Sequence, residues 1–184
     1  SSILTYIIHT VVSGGSLGIN IVADAYNHYI VNPEIYVKSY RIVSLAMDLL
    51  TAFFVYLTAK LVLPNSKETP IYPVFAASLF LLSYNTIWCF VVARPDAPMT
   101  LFSTIGIYCY YRSEFGRNYN SFLLASIFLG LATGLKLHGA FFVVFILIDL
   151  IRMHGFKAAF SKCFIFGFLS VIAFIVAAGS PLFD

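Results

Sequence analysis

The stretch FVVARPDAPM, residues 90–99, places a cation and an anion two positions apart beside a long apolar run. Arg94 carries a planar guanidinium, which can bind a phosphate or a carboxylate through two parallel hydrogen bonds. Pro95 ends one helix and starts the next, so it fixes the directions of Arg94 and Asp96. The spacing indicates either a helix boundary, with Asp96 as N-cap and Arg94 as its surface partner, or a site that handles a charged substrate.

A second polar group lies in GLATGLKLHG, residues 130–139. Small residues lead up to Lys136, and they allow two helices to approach closely. Lys136 can therefore bring its ammonium near another backbone, or simply extend it to the membrane interface. His138 can carry a proton, bind a ligand or lie at the interface without a further role. Lys136 and His138 join Arg94 and Asp96 as candidate substrate-binding residues.

Two further charges lie within the apolar segment RIVSLAMDLLTAFF, residues 41–54. Asp48 follows Arg41 by about two helical turns. A carboxyl group in lipid must be neutral, paired or in contact with water. We therefore expect Arg41 and Asp48 to be structural members of a polar core, with Asp48 bonded to a polar residue such as Asn85 or Thr100.

Composition identifies the class of protein that must hold these side chains. The chain has 184 residues, of which 60% are hydrophobic and 10% charged, and its mean hydropathy is +0.91. Soluble domains carry about 25% charged residues, so this is an integral membrane protein with several spans. The net charge of +3 suits cytoplasmic loops rather than a nucleic-acid partner. Neither the cysteines, Cys89, Cys109 and Cys163, nor the histidines show the spacing of a metal site.

Apolar runs and their breaks predict an all-α fold, a multi-pass transmembrane helical bundle of about five or six spans. The predicted spans cover residues 36–63, 71–93, 97–112, 121–135, 138–152 and, as a sixth candidate, 163–179. Residues 1–35 are apolar but interrupted, which predicts short amphipathic helices in the membrane interface. The chain thus divides into this interfacial segment and a transmembrane core, residues 36–184.

Charge orients the spans through the positive-inside rule. The basic residues of three loops mark one side as cytoplasmic: Lys60, Lys67, Arg112, Arg117, Arg152, Lys157 and Lys162. We expect Asp149 and Arg152, three positions apart, to form an ion pair at this end.

The candidate site residues fall on the opposite side. Arg94, Asp96, Lys136 and His138 share the external or lumenal face with residues 1–35. The positive-inside rule disfavours cations there, so a cation kept on that face is a site candidate.

The order of the motifs resembles a known family. Along the chain they read SSILTYIIHTV, NPEIYVKSYRIVSLAMDLLTAFFVYLTAKLVLP, ARPDAPMTLFSTIGIYCYYR, LLASIFLGLATGLKLHGAFFVVFILI and GSPLFD. This order, with its shared membrane side, resembles the core of GT-C superfamily glycosyltransferases of the dolichyl-phosphate-mannose–protein mannosyltransferase type. The resemblance covers nearly all of the chain.

The resemblance implies a polyprenyl-phosphate-linked sugar as donor, with transfer to an acceptor on the external or lumenal face of the endoplasmic reticulum or plasma membrane. It implies that Arg94, Asp96 and Lys136 lie near the donor phosphate and the acceptor pocket. The family's catalytic acid follows its first span, which would precede Ser1, so the resemblance implies an N-terminal-third fragment with no assigned catalytic base. The resemblance also implies that membrane lipids are partners of the protein. It does not decide whether other subunits bind or whether a divalent cation acts as cofactor.

Two other functional classes remain open. A non-catalytic transmembrane scaffold subunit is favoured by the missing acidic motif. A small transporter would use Asp48 and the broken helices to line a path. Many transporters contain an internal repeat, and the second half of this chain does not repeat the first.

Overall fold

The computed structural model describes residues 33–63, 71–83 and 96–178. Every regular element in these ranges is an α-helix, which confirms the all-α fold. The helices are α1 (Pro33–Val62), α2 (Ile71–Leu81), α3 (Asp96–Arg112), α4 (Tyr119–Leu135), α5 (Gly139–His154) and α6 (Phe156–Ala178). The interfacial helices predicted for residues 1–35 lie outside the described residues, except that α1 already begins at Pro33. Proline suits this position because the first helical turn leaves its N–H groups unpaired.

The bundle has the surface of a membrane protein. Two of its helices are long and apolar enough to cross a bilayer, Val37–Val62 with mean hydropathy 1.9 and Phe156–Ala178 with 2.2. Large apolar side chains project outward along α6, including Phe156 at 70% and Val176 at 67% exposed. Water-facing proteins rarely expose such continuous apolar surface. Together with the low charge content, this surface identifies an integral membrane protein.

Helix α4 lies at the centre of the bundle. It packs against α3, α5 and α6, while α1 packs against α3 and α2. Short connections make successive helices from α3 onward antiparallel: residues 113–118 join α3 to α4, and Gly155 alone separates α5 from α6. One end of the bundle therefore gathers the start of α3, the end of α4 and the start of α5.

Small side chains set the distance between α4 and α6. A Cβ atom on Gly130 would lie 2.7 Å from the Ala173 Cβ, so no larger residue fits there without a shift. The Ser170 hydroxyl donates a hydrogen bond of 3.0 Å to the Ser126 carbonyl. The ladder of small residues that leads to Lys136 thus packs directly on α6, which fixes the end of α4.

The connection between α5 and α6 is shorter than predicted. The sequence placed the last span at residues 163–179, but α6 begins at Phe156. Lys157 and Lys162 are therefore helical, because an α-helix at the membrane edge can extend lysine side chains toward water while its apolar face stays buried. Gly155 makes the turn possible with a positive φ of 75°, which glycine adopts without steric cost.

The predicted ion pair between Asp149 and Arg152 is wrong. Asp149 instead accepts a hydrogen bond of 2.9 Å from the hydroxyl of Tyr110, so its carboxylate points from α5 toward α3. Only 2% of Tyr110 is exposed. This contact ties the C-terminal end of α3 to α5.

Candidate functional site

The first helical residue of α3, Asp96, forms one half of the site. Its side chain is 13% exposed and lies in the first turn, where the helix dipole favours a negative charge. The Thr100 hydroxyl donates to the Asp96 backbone carbonyl at 2.8 Å. Thr100, one of the two partners expected for Asp48, thus directs its proton into its own helix, and Asn85 lies outside the described residues.

Lys136, directly after α4, forms the other half. Its backbone N–H donates to the Ala132 carbonyl at 3.1 Å, and its extended backbone ends the helix. Its ammonium donates to Oδ1 of Asp96 in a direct ion pair. The structure therefore joins two predicted site residues that are 40 positions apart in the sequence.

The pair is unevenly buried, and this determines what it can bind. The Lys136 side chain is 41% exposed, three times the exposed fraction of Asp96. An ammonium has three N–H donors, and Asp96 uses one of them. The two remaining donors can hydrogen-bond an anionic group that approaches the end of the bundle. Phosphate oxygens fit such a point charge well.

The turn that carries Lys136 is too tightly packed to accept a side chain at Gly139. Gly139 donates its backbone N–H to the Lys136 carbonyl at 2.8 Å. A Cβ atom on Gly139 would lie 2.6 Å from the backbone nitrogen of Thr133. The chain therefore turns directly from α4 into α5, and this tight turn holds Lys136 over the start of α3.

His138 occupies the same turn and lies directly before the first turn of α5. It makes no side-chain capping bond. The residue is exposed, and its ring centroid lies 6.4 Å from that of Phe141. Among the described residues, no hydrogen bond joins His138 to the Asp96–Lys136 pair.

The remaining predicted residues lie apart from the pair or outside the description. Arg94 belongs to residues 84–95, which the structure does not describe. Arg41 is exposed on α1, whereas Asp48 is only 3% exposed and its Oδ2 atom has no hydrogen-bond partner. No ion pair between Arg41 and Asp48 occurs in the described part of the chain.

The described residues also show how metal-binding side chains are distributed. In residues 33–63, 71–83 and 96–178, no three His, Cys, Asp or Glu side chains come together to hold a metal ion. Cys109 and Cys163 are free thiols. The ion pair, and not a metal cluster, is the polar feature at this end of the described bundle.

Sequence reasoning missed a polar network at the opposite end of the bundle, where α3 and α5 end and α6 begins. Nε2 of His154 lies 2.8 Å from the Phe115 carbonyl oxygen and 3.2 Å from Nζ of Lys162. The Ser113 hydroxyl accepts a hydrogen bond of 2.9 Å from the Gly116 N–H and orders the turn before α4. The signal was weak, because each of these residues alone is an ordinary choice for a loop or a helix end.

Comparison with known families decides what kind of protein carries this site. A family model described as dolichyl-phosphate-mannose-protein mannosyltransferase matches residues 36–181. The chain belongs to this family. No curated protein and no solved structure shows significant similarity to it.

Membership in the dolichyl-phosphate-mannose-protein mannosyltransferase family makes the chain a membrane glycosyltransferase of the GT-C type. The matched range contains both Asp96 and Lys136, so the ion pair lies within the part that carries the family likeness. The resemblance drawn from the order of the sequence motifs is therefore confirmed.

Proposed function

We propose that this chain belongs to an enzyme that transfers a sugar from a polyprenyl-phosphate-linked donor to an acceptor on the external or lumenal face. The single observation that carries the proposal is the ion pair between Asp96 and Lys136. It lies at the end of the bundle opposite Arg112 and Arg152, the end that the positive-inside rule assigns to the cytoplasm. The family's description as dolichyl-phosphate-mannose-protein mannosyltransferases supports mannose on dolichyl phosphate as donor and protein as acceptor.

Lys136 is the proposed phosphate-binding cation. Negative charge grows on the lipid phosphate as the sugar leaves, and a preorganised ammonium stabilises that charge. The contact with Asp96 holds the ammonium in place before the donor arrives, so less ordering is needed on binding. Arg94, two positions before Asp96 in the sequence, is the proposed second cation because its guanidinium can bind phosphate bidentately. His138 is proposed as a neighbouring contact to substrate.

Asp96 has two proposed tasks. Its Oδ1 atom orients Lys136, and its Oδ2 atom would accept a hydrogen bond from a hydroxyl of the sugar or the acceptor. A general base must also deprotonate the acceptor. Because Asp96 is already engaged by a cation, that base is assigned to no residue of the described bundle.

The proposed topology follows from the same arrangement. The antiparallel helices cross the membrane several times, with the basic ends of α3 and α5 in the cytoplasm. The proposed compartment is the endoplasmic reticulum or the plasma membrane, where an external or lumenal face meets lipid-linked donors.

Sugar transfer from dolichyl-phosphate-mannose, measured in membranes that carry the protein, tests the proposal. Lys136→Ala should lower the transfer rate by about 100-fold or more, since it removes a preorganised charge. Lys136→Arg keeps the positive charge and should restore part of the rate. The matched control is Lys38→Ala, which removes a 75% exposed lysine at the same end of the bundle and should leave transfer unchanged. Wild-type transfer by folded Lys136→Ala protein would refute the proposal.

A further inference from the structure

The buried face of α1 carries a row of polar side chains. Ser44, Asp48 and Thr51 are spaced by four and three positions, which places them on one face of the helix. Their exposed fractions are 2%, 3% and 0%. The Thr51 hydroxyl donates to the Met47 carbonyl at 2.8 Å, so it is satisfied within its own helix.

Asp48 is the member of this row that remains unsatisfied. Its Oδ2 atom is buried and has no hydrogen-bond partner. The ion pairs of the described residues are Glu34–Lys38, Glu114–Arg117 and Asp96–Lys136, so none of them involves this carboxyl group. An ionised carboxylate without a partner is the costliest group to place in an apolar interior.

The two described helices that pack against α1, namely α2 and α3, supply no positive charge beside Asp48. Helix α2, IYPVFAASLFL, contains no charged residue. Helix α3 carries Asp96 in its first turn and Arg112 in its last, and Asp96 is bound to Lys136. Within α1, the exposed Arg41 lies about 10 Å away along the axis, at 1.5 Å per residue. The other titratable side chains of α2 and α3 are phenols and a thiol, which cannot carry a positive charge: Tyr72, Tyr108, Cys109, Tyr110 and Tyr111.

We infer that Asp48 binds a proton and stands in the bundle as an uncharged carboxylic acid. The bound proton removes a charge that no neighbour among the described residues compensates, and it turns the group into both a donor and an acceptor. The site is independent of the Asp96–Lys136 pair and of sugar transfer. Its ligand is a proton, and it lies on the helix face shared by Ser44 and Thr51.

A protonated carboxyl in apolar surroundings has a diagnostic reaction with hydrophobic carbodiimides. The carboxyl oxygen forms a bond to the central carbon of the carbodiimide, and the carboxyl proton moves to one nitrogen. The resulting O-acylisourea rearranges by transfer of the acyl group from oxygen to nitrogen, which gives a stable N-acylurea. No group leaves, so the modified Asp48 keeps all the atoms of both reactants.

Infrared spectroscopy of the whole protein in lipid is the first test. The wild-type protein should show the carbonyl band of a protonated carboxylic acid, and Asp48→Asn, which preserves the size of the side chain, should lack it. Asp96→Asn is the matched control, because it removes an ion-paired carboxylate and should keep the band. Identical bands in wild-type and Asp48→Asn protein would overturn the inference. This test does not require a carbodiimide to reach Asp48.

Labelling with N,N′-dicyclohexylcarbodiimide, followed by peptide mass spectrometry, is the second test. Asp48 should be modified by this hydrophobic reagent and spared by a charged, water-soluble carbodiimide, and Asp48→Asn should lose the label. Suppression of labelling by added sodium or magnesium chloride would overturn the inference, because the carboxyl group would then be the ionised ligand of a metal cation.

Discussion

The ammonium of Lys136 donates to the Asp96 carboxylate and so joins the end of α4 to the start of α3. The contact depends on backbone geometry at both ends. Lys136 leaves the helix in an extended conformation, and Asp96 opens α3 within its first turn. Because Asp96 is the more buried partner, the two residues are not equivalent, and their substitutions should have different consequences.

Removal of the cation should destabilise the protein more than removal of the anion. Lys136→Met leaves a largely buried carboxylate unpaired, which should cost about 1–2 kcal/mol, less than the 3–5 kcal/mol of a fully buried pair. Asp96→Asn leaves a lysine that is 41% exposed and can contact water, so its cost should be smaller. Thermal unfolding in detergent measures both, and the double variant should regain part of the loss of Lys136→Met. Strictly additive effects would show that the pair is uncoupled.

Exchange of the charges of Asp96 and Lys136 should affect the rate of sugar transfer more strongly than the stability of the protein. Asp96→Lys combined with Lys136→Asp retains opposite charges on α3 and α4 but places the cation in the first turn of α3, where the helix dipole disfavours it, so the melting temperature should fall less than that of Lys136→Met. Sugar transfer should still be lost, because the cation now projects from α3 and not from the turn after α4. Active, stable exchanged protein would indicate that the pair serves packing alone.

The close contact between α4 and α6 should tolerate no added methyl group. Gly130→Ala places a Cβ atom 2.7 Å from that of Ala173, and overpacking of this kind costs about 1–3 kcal/mol. The matched control is Gly167→Ala on α6, where nothing lies within 4 Å of the added atom. That change should raise stability slightly, since alanine favours a helix. Equal melting temperatures for the two variants would contradict the packing described for α4.

The hydrogen bond between Tyr110 and Asp149 should contribute measurably to stability. Tyr110→Phe removes the hydroxyl that donates to the carboxylate at 2.9 Å, and bonds to charged groups are worth about 1.5–3 kcal/mol. Tyr72→Phe, at a position 57% exposed, is the control and should change little. The free energy of unfolding of both variants measures the contribution, and a Tyr110→Phe value equal to that of the control would show that water replaces the bond.

The starts of α3 and α4 could be predicted from the sequence, because the residues that mark them lie next to one another in the chain. The predicted starts at residues 97 and 121 fall within two positions of Asp96 and Tyr119, since short polar residues and a proline mark these boundaries. Asn118 confirms the second boundary, as its side chain accepts from the Ser121 N–H at 3.4 Å. The predicted start of α6 was too late, because Lys157 and Lys162 are compatible with both a loop and a helix end, and the sequence alone does not distinguish the two.

The polar partners could not be predicted in the same way. Membrane side and spacing brought Asp96 and Lys136 to one face, but their direct contact depends on the packing angle of α3 against α4. The bond from Tyr110 to Asp149 depends on a third helix, 39 positions away in the sequence. Side-chain pairing across helices is a tertiary property, and a single sequence contains no periodic signal for it.

The single residue between α5 and α6 also limits how two copies of this chain can combine. Consecutive Cα atoms lie about 3.8 Å apart, so a link of one residue cannot carry α6 across to another molecule while α5 stays in place. As long as Gly155 keeps its positive φ, the two helices form one hairpin. Exchange of α6 between two copies would therefore require Gly155 to leave its positive φ and the hairpin to open.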